Sequence, residues 1–248
     1  MAERRRGSAK GSESNSPIEK TPTDWELVET LLGAEEMRTM FLYGDPSLGK
    51  TYAAYHFGRE GEEIYAITLT EDTPAAELRG HYVPVEGRLE WRDGPFTAAM
   101  RGGHRLVINE ITHGPPEAHS LLYPVLESME TARLTLPTNE TIRPAPGFQV
   151  VVTDNLTPDE LPEALQDRFQ CTIEITEPHP NAFDALPEDL RQAARRSYAL
   201  EPSRRVTIRR WLAIDRLRPV VGLHKACQAV LGTERGDQII AALNLGKA

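Results

Sequence analysis

The chain has 248 residues, 40% hydrophobic and 26% charged, enough to bury a core without disulfide or metal staples in one large domain or two modest ones. Lys and Arg number 28 against 37 Asp and Glu, and the formal charge of −9 argues against broad affinity for nucleic acid or an anionic membrane. Two cysteines, Cys171 and Cys227, are too few for a disulfide framework or a metal knuckle. No run approaches the ~18 apolar residues of a membrane span, and residues 1–16 lack the apolar stretch of a secretory signal, so the expected location is cytoplasmic.

Residues 1–23 are rich in Ser, Gly, Arg, Lys and Glu with almost nothing apolar, the composition of a flexible tail; Arg4, Arg5 and Arg6 read as a solvated charge run before a docking patch. Thr23 or Asp24 can cap a short helix whose Trp25, Val28, Leu31 and Leu32 share one face, with Gly33 at its end. That helix either packs beside a bound base or completes the core.

The informative stretch comes next. Met40, Phe41, Leu42 and Tyr43 read as a strand, followed by Gly44-Asp45-Pro46-Ser47-Leu48-Gly49-Lys50-Thr51 and then a helical pattern. The spacing fits a phosphate loop, in which backbone N–H groups cradle phosphates, Lys50 reaches the terminal ones and the Thr51 hydroxyl can hold Mg²⁺. The alternative is a glycine turn between two core elements.

Residues 63–69 read as a second strand, and Tyr82–Val85 with Arg88–Trp91 as a β-hairpin about Glu86-Gly87. In residues 104–110 a buried strand through Leu106, Val107 and Ile108 presents Asn109 and Glu110 at its carboxyl end, the edge where open α/β sheets bind ligands. Glu110 is a candidate base for the attacking water, and Asn109 a neighbour of the Mg²⁺ shell. A helix over 115–127 contains Pro124, which should loosen a turn, and a second hairpin is expected about Thr138-Asn139-Glu140. Residues 148–153 form another buried strand, with Asn155 just beyond it able to orient water near a terminal phosphate, unless it is a plain turn residue. A short helix over 161–169 carries Arg168, to which spacing alone assigns no reach. Residues 171–175 are a last strand, 178–187 a proline-containing link, and the remainder helices over 190–200, 206–217, 220–231 and 237–245. The expected organisation is a tail over 1–23, an α/β domain over 24–177 with parallel sheet and helices on both faces, and a helical domain over 178–248.

Taken in order, the phosphate loop, Asn109-Glu110, Asn155, the Leu161–Phe169 segment and a helical end resemble the AAA+ ATPases, most closely the MoxR family. Further support comes from Glu77-Leu78-Arg79-Gly80, from Trp91 to Phe96, and from Ser203-Arg204-Arg205 with residues 222–227, similar to the branch holding the NorQ, CbbQ and gas-vesicle ATPases. The resemblance implies ATP and Mg²⁺ as cofactors, Gly44 to Thr51 as Walker A, Asn109-Glu110 as Walker B, Asn155 as the sensor of the γ-phosphate, Arg168 as an arginine finger acting on a neighbour, and Arg205 as the lid sensor. It also implies a homo-oligomer, usually a hexameric ring, hairpins that face a partner or substrate, and a protein client such as a von Willebrand A-domain protein. One departure stands out: the family usually has Asp where this chain has Asn109, an amide that keeps an oxygen but loses the charge. Slow hydrolysis is therefore expected, with a scarcely hydrolysing, nucleotide-gated scaffold as the rival and a monomeric small-molecule kinase as a third reading.

Overall fold

The computed structural model describes residues 23–58, 61 and 63–245; apart from Thr23, the expected tail with Arg4, Arg5 and Arg6 lies outside them. In chain order the elements are α1 (Trp25–Gly33), β1 (Thr39–Tyr43), α2 (Lys50–His56), β2 (Ile64–Thr68), α3 (Ala75–Arg79), β3 (Gly80–Val85), β4 (Arg88–Asp93), α4 (Pro95–Gly102) and β5 (Arg105–Asn109). They continue as α5 (Pro116–Val125), β6 (Leu134–Thr135), β7 (Thr141–Ile142), β8 (Gln149–Asp154), α6 (Glu163–Gln166), β9 (Cys171–Glu174), α7 (Pro180–Asp184), α8 (Glu188–Tyr198), α9 (Ile208–Val221), α10 (Leu223–Leu231) and α11 (Thr233–Leu245).

Five strands form one parallel sheet in the order β2-β5-β8-β1-β9. The apolar runs in β1, β5 and β8 are continuous because both faces are covered. On one face Phe41, Leu106, Ile108, Val150 and Val152 pack with Phe96, Met100 and Leu122; on the other Met40, Leu42, Val107 and Val151 pack with Trp25, Val28, Leu32 and Ala54. In α1 the buried Trp25, Val28 and Leu32 follow helical spacing, and the Asp24 carboxylate caps the helix by accepting from the Leu27 N–H at 3.0 Å. A separate core of Phe183, Leu190, Trp211, Ile214, Ala226 and Cys227 joins the C-terminal helices.

Two local expectations need correction. The link over 178–187 contains α7, because Pro180 presets its first turn and the His179 imidazole caps it, accepting from the Asn181 N–H at 3.1 Å. The break expected between 217 and 220 falls at Gly222 instead. Pro219 in the last turn of α9 forfeits one backbone bond, whereas Gly222 at φ +79° takes a conformation that ends the helix outright.

Arg105, 1% exposed, fastens the sheet to the helices above it. Its Nε donates to Gln149 Oε1 at 2.7 Å, and its terminal nitrogens donate to Leu32 O at 2.8 Å, to Ala54 O at 3.0 Å and to Phe57 O. These carbonyls lie at the carboxyl ends of α1 and α2, where a cation is favoured. Arg105→Met keeps the bulk but strands several buried acceptors, so a loss of about 3 kcal/mol or more is expected, read as a lowered urea midpoint with unchanged slope.

Both hairpins are present. Glu86 (φ +47°) and Gly87 (φ +78°) form the two-residue turn between β3 and β4, and Asn139 (φ +67°) lies in the turn between β6 and β7. Arg101 of α4 ties them together, its guanidinium bonding Asp93 at 3.0 Å and Glu140 at 2.6 Å.

Candidate functional site

The site follows from the sheet's register. Asn109 at the end of β5 lies opposite Thr153 of β8, and Tyr43 at the end of β1 opposite Asp154, so Gly44, Asn109 and Asn155 emerge side by side on one edge. Between β1 and α2 the chain turns through Ser47 at φ +65° and Gly49 at φ +104°. Gly44 sits so close to the next strand that a Cβ would meet Ile175 O at 2.2 Å. Only glycine fits there.

A cleft of about 470 Å³ opens above this edge, lined by Pro46, Ser47, Gly49, Lys50, Thr51 and Tyr52 of the loop and α2, and by Glu110, Thr153, Asp154 and Asn155. Inside it Lys50 Nζ donates to Gly44 O at 2.7 Å, to Asp45 O at 2.8 Å and to Asn155 Oδ1 at 3.0 Å. The Asn155 amide nitrogen in turn donates to both Glu110 oxygens, at 3.0 and 3.3 Å. Lysine, amide and carboxylate thus form one chain. Glu110 holds its place in a left-handed backbone conformation, φ +55° and ψ +49°, uncommon for a residue with a side chain and of a kind that concentrates at functional sites.

Beside this chain lies a cluster of neutral oxygens. Thr153 Oγ1 donates to Asn109 Oδ1 at 2.7 Å, and Thr51 Oγ1 lies 3.4 Å from both Asn109 Oδ1 and Thr153 Oγ1. Hydroxyl and amide oxygens suit Mg²⁺ held mainly by phosphates and water, so the residues fit that ion. No group of three or more His, Cys, Asp or Glu among the described residues could hold a metal by itself.

Burial pulls the Lys50 ammonium down from its usual 10.5 to about 8, against the opposing pull of Glu110, Asp154 and Asp45. Phosphate is attracted by the protonated form alone, so the affinity of this cleft for a phosphate-bearing ligand is expected to fall as pH rises through about 8, measured by titration with a fluorescent nucleotide analogue. Stability of the free protein should move the other way. The unfolded lysine keeps its proton to 10.5, so the cost of burying that charge is relieved as pH rises from about 8 toward 10.5.

Several residues in and around the cleft have no sequence signal, Glu29 among them as a partner of a lining residue. Glu29 and His179, 150 positions apart, meet at 2.6 Å, with the His179 ring 4.8 Å from those of Trp25 and Phe57. His179, Asn181, Ala182, Ala185, Ile208, Arg209 and Leu212 close the far end of the cleft. Arg205 stands just outside, its Nε donating to Leu200 O at 3.0 Å and a terminal nitrogen 3.9 Å from Asp45 Oδ2. Arg209 lies in the first turn of α9, whereas Arg205 lies in the irregular segment before that helix, so no helical spacing in the sequence relates the two. Asp154, by composition only a turn former beside Asn155, has a larger part: its carboxylate accepts from Thr112 N at 2.8 Å, Thr112 Oγ1 at 2.9 Å and Leu156 N at 2.9 Å, fixing the turn after Glu110 to the end of β8.

Arg168 is not in the cleft. Its carbonyl accepts from the Thr39 hydroxyl at the opposite end of β1, and five strand residues at ~3.3 Å each put it roughly 13–16 Å from the loop. The guanidinium donates to Tyr123 O at 3.2 Å, to Glu127 Oε1 at 2.8 Å and to Ala164 O, over the Tyr123 ring.

Residues 39–169, more than half of the chain, match the family described as AAA domain (dynein-related subfamily). The chain belongs to this AAA+ family. Relatives of the MoxR type within it include NorQ, NirQ, CbbQ and GvpN. Protein NorQ of Paracoccus denitrificans (strain Pd 1222) is 32% identical over 120 residues, 47% of this chain and 43% of that protein. The gas vesicle ATPase GvpN of Haloferax mediterranei is 28% identical over 195 residues, covering 64% and 55%. This AAA+ chain therefore spans about half the length of those two relatives, and it matches only 3% of the length of a third, Midasin of Giardia intestinalis. Among solved structures, NtrX from Brucella abortus in complex with ATP aligns with a TM-score of 0.54 at 12% identity, over 78% of this chain and 50% of that one, a likeness of fold alone.

Proposed function

We propose that this MoxR-type AAA+ ATPase binds and slowly hydrolyses ATP in an oligomeric ring, hexameric in the usual case, and uses the cycle to remodel or activate a partner protein. The observation that carries the reading is the chain Lys50–Asn155–Glu110 beside a glycine-shaped loop, with Arg168 anchored at the other end of β1. Backbone N–H groups of residues 44–51 and the Lys50 ammonium bind the phosphates. Thr51 and Asn109 would hold Mg²⁺, whose charge would offset that of the phosphates. Asn155 orients the attacking water and Glu110 takes its proton. Arg168 reaches the transferred phosphoryl group of a neighbouring subunit, where a guanidinium offsets spreading charge. Arg205 reports on the nucleotide from the lid, joined by Arg209, while α7 and the pair Glu29–His179 shape the base end.

In this reading residues 24–177 are the nucleotide-binding domain and 178–248 the lid, separate cores supporting the division. The two hairpins face the client, with Leu89, 71% exposed, in the first, and a von Willebrand A-domain protein is the partner we favour. The neutral Asn109 supports a second reading, a ring that assembles with ATP and scarcely turns over.

ATPase rate measured against protein concentration with Mg²⁺ separates the two. Specific activity that climbs with concentration supports the ATPase. Assembly with ATP but turnover no higher than in Lys50→Ala would replace it by the scaffold.

A further inference from the structure

Charge is divided unevenly along this chain. Residues 23–187 carry 11 Lys and Arg against 28 Asp and Glu, whereas residues 188–248 carry 12 against 6. A basic helical end on an acidic α/β body is a pair of complementary surfaces, and the contacts within one copy leave much of both unmatched.

The unmatched basic side is the outer face of α9. Its inner face is buried through Ile208, Trp211 and Ile214. Outward, exposed Arg209, Arg210 and Arg216 stand with Val220, 79% exposed. No carboxylate among the described residues pairs with these three arginines, whereas Arg218 of the same helix pairs with both Asp189 and Asp215. The unmatched acidic side surrounds Arg168. A hollow of about 470 Å³ there is rimmed by Glu35, Glu36, Glu127 and Asp167, and Glu127 alone among them pairs with a cation of its own copy among the described residues.

We infer that the outer face of α9 is the docking surface for the acidic rim around Arg168 of a second copy of this chain. Geometry joins the two. Ile208, Arg209 and Leu212 line the nucleotide cleft, so α9 borders the place an incoming Arg168 must reach. A neighbour whose Arg168 enters that cleft brings Glu35, Glu36 and Asp167 up to the arginines of α9. The contact uses different patches on the two copies, the kind that closes into a ring when the rotation permits. Opposed charges also speed encounter and fix register, and exposed pairs weaken with salt. The inference rests on the ring reading above, and it assigns that ring its electrostatic contact.

The test uses the full chain with ATP and Mg²⁺, its size followed by sedimentation across a salt series. Arg210→Glu with Arg216→Glu forms one variant and Glu35→Arg with Glu36→Arg the other; Arg209 is left alone because it lines the cleft. Each variant alone is expected to remain monomeric where the wild type assembles, while binding a fluorescent ATP analogue as the wild-type monomer does. Mixed in equal amounts the two are expected to assemble again, since each reversed face then meets a reversed partner. Assembly of either variant alone at the wild-type concentration, or a mixture that stays monomeric although both variants bind nucleotide, overturns the inference. A wild type that never assembles overturns the ring reading itself, a separate outcome.

Discussion

Glu110→Gln is expected to lower ATP turnover by about 10² to 10⁴ while leaving ATP affinity close to that of the wild type, since proton transfer by a positioned base contributes about that much. The amide keeps the size and one acceptor, so the Asn155 amide nitrogen retains a partner in place of the carboxylate it meets at 3.0 Å. The left-handed backbone at residue 110 is also retained, because it is set by the turn that Asp154 fastens through Thr112. Asn155→Ala should behave differently. It removes a partner of Lys50 as well as of Glu110, so both affinity and turnover should fall. Isothermal titration beside steady-state rates makes the distinction. Equal turnover in Glu110→Gln and wild type would remove Glu110 from the role of base.

Much of this site was legible in the sequence because its parts are local and repeat a physical requirement. The loop from Gly44 to Thr51 needs glycine where φ is positive and where Ile175 O leaves no room for a Cβ, so its pattern survives as letters. Buried parallel strands announce themselves as apolar runs, and their carboxyl ends pointed to Asn109, Glu110 and Asn155 before any register was known. What stayed hidden depends on pairing across long separations. His179 reads as a proline-link residue until Glu29 is placed 2.6 Å away, and Asp154 as a turn former until Thr112 is seen to donate to it. Nothing in the sequence marks Arg105. Its role as a clamp needs the ends of α1 and α2 to converge on it, which no periodicity encodes. The helix boundaries missed at Pro180 and Gly222 are of the same kind, decided by one cap and one backbone angle.

The largest effect is expected from Arg168→Ala, a fall of about 10³ to 10⁵ in turnover with nucleotide affinity unchanged. Affinity should be spared because Arg168 lies at the far end of β1 from its own cleft, bonded to Tyr123 and Glu127. Loss of its stacking on Tyr123, of its partly exposed ion pair with Glu127 and of its bonds to Tyr123 O and Ala164 O should cost about 1 to 3 kcal/mol of stability, too little to unfold the chain. Mixing separates a shared site from a simple defect. Combined with Glu110→Gln, the Arg168→Ala chain still offers an intact Lys50 and Glu110, and the other chain an intact Arg168. Where the two meet in the right order one complete site forms, at about a quarter of interfaces under random mixing in a head-to-tail ring. Recovery of activity by two inactive variants, rising with total protein concentration, is therefore expected. No recovery from a mixture that co-sediments as one assembly would mean that Arg168 does not complete a neighbour's site.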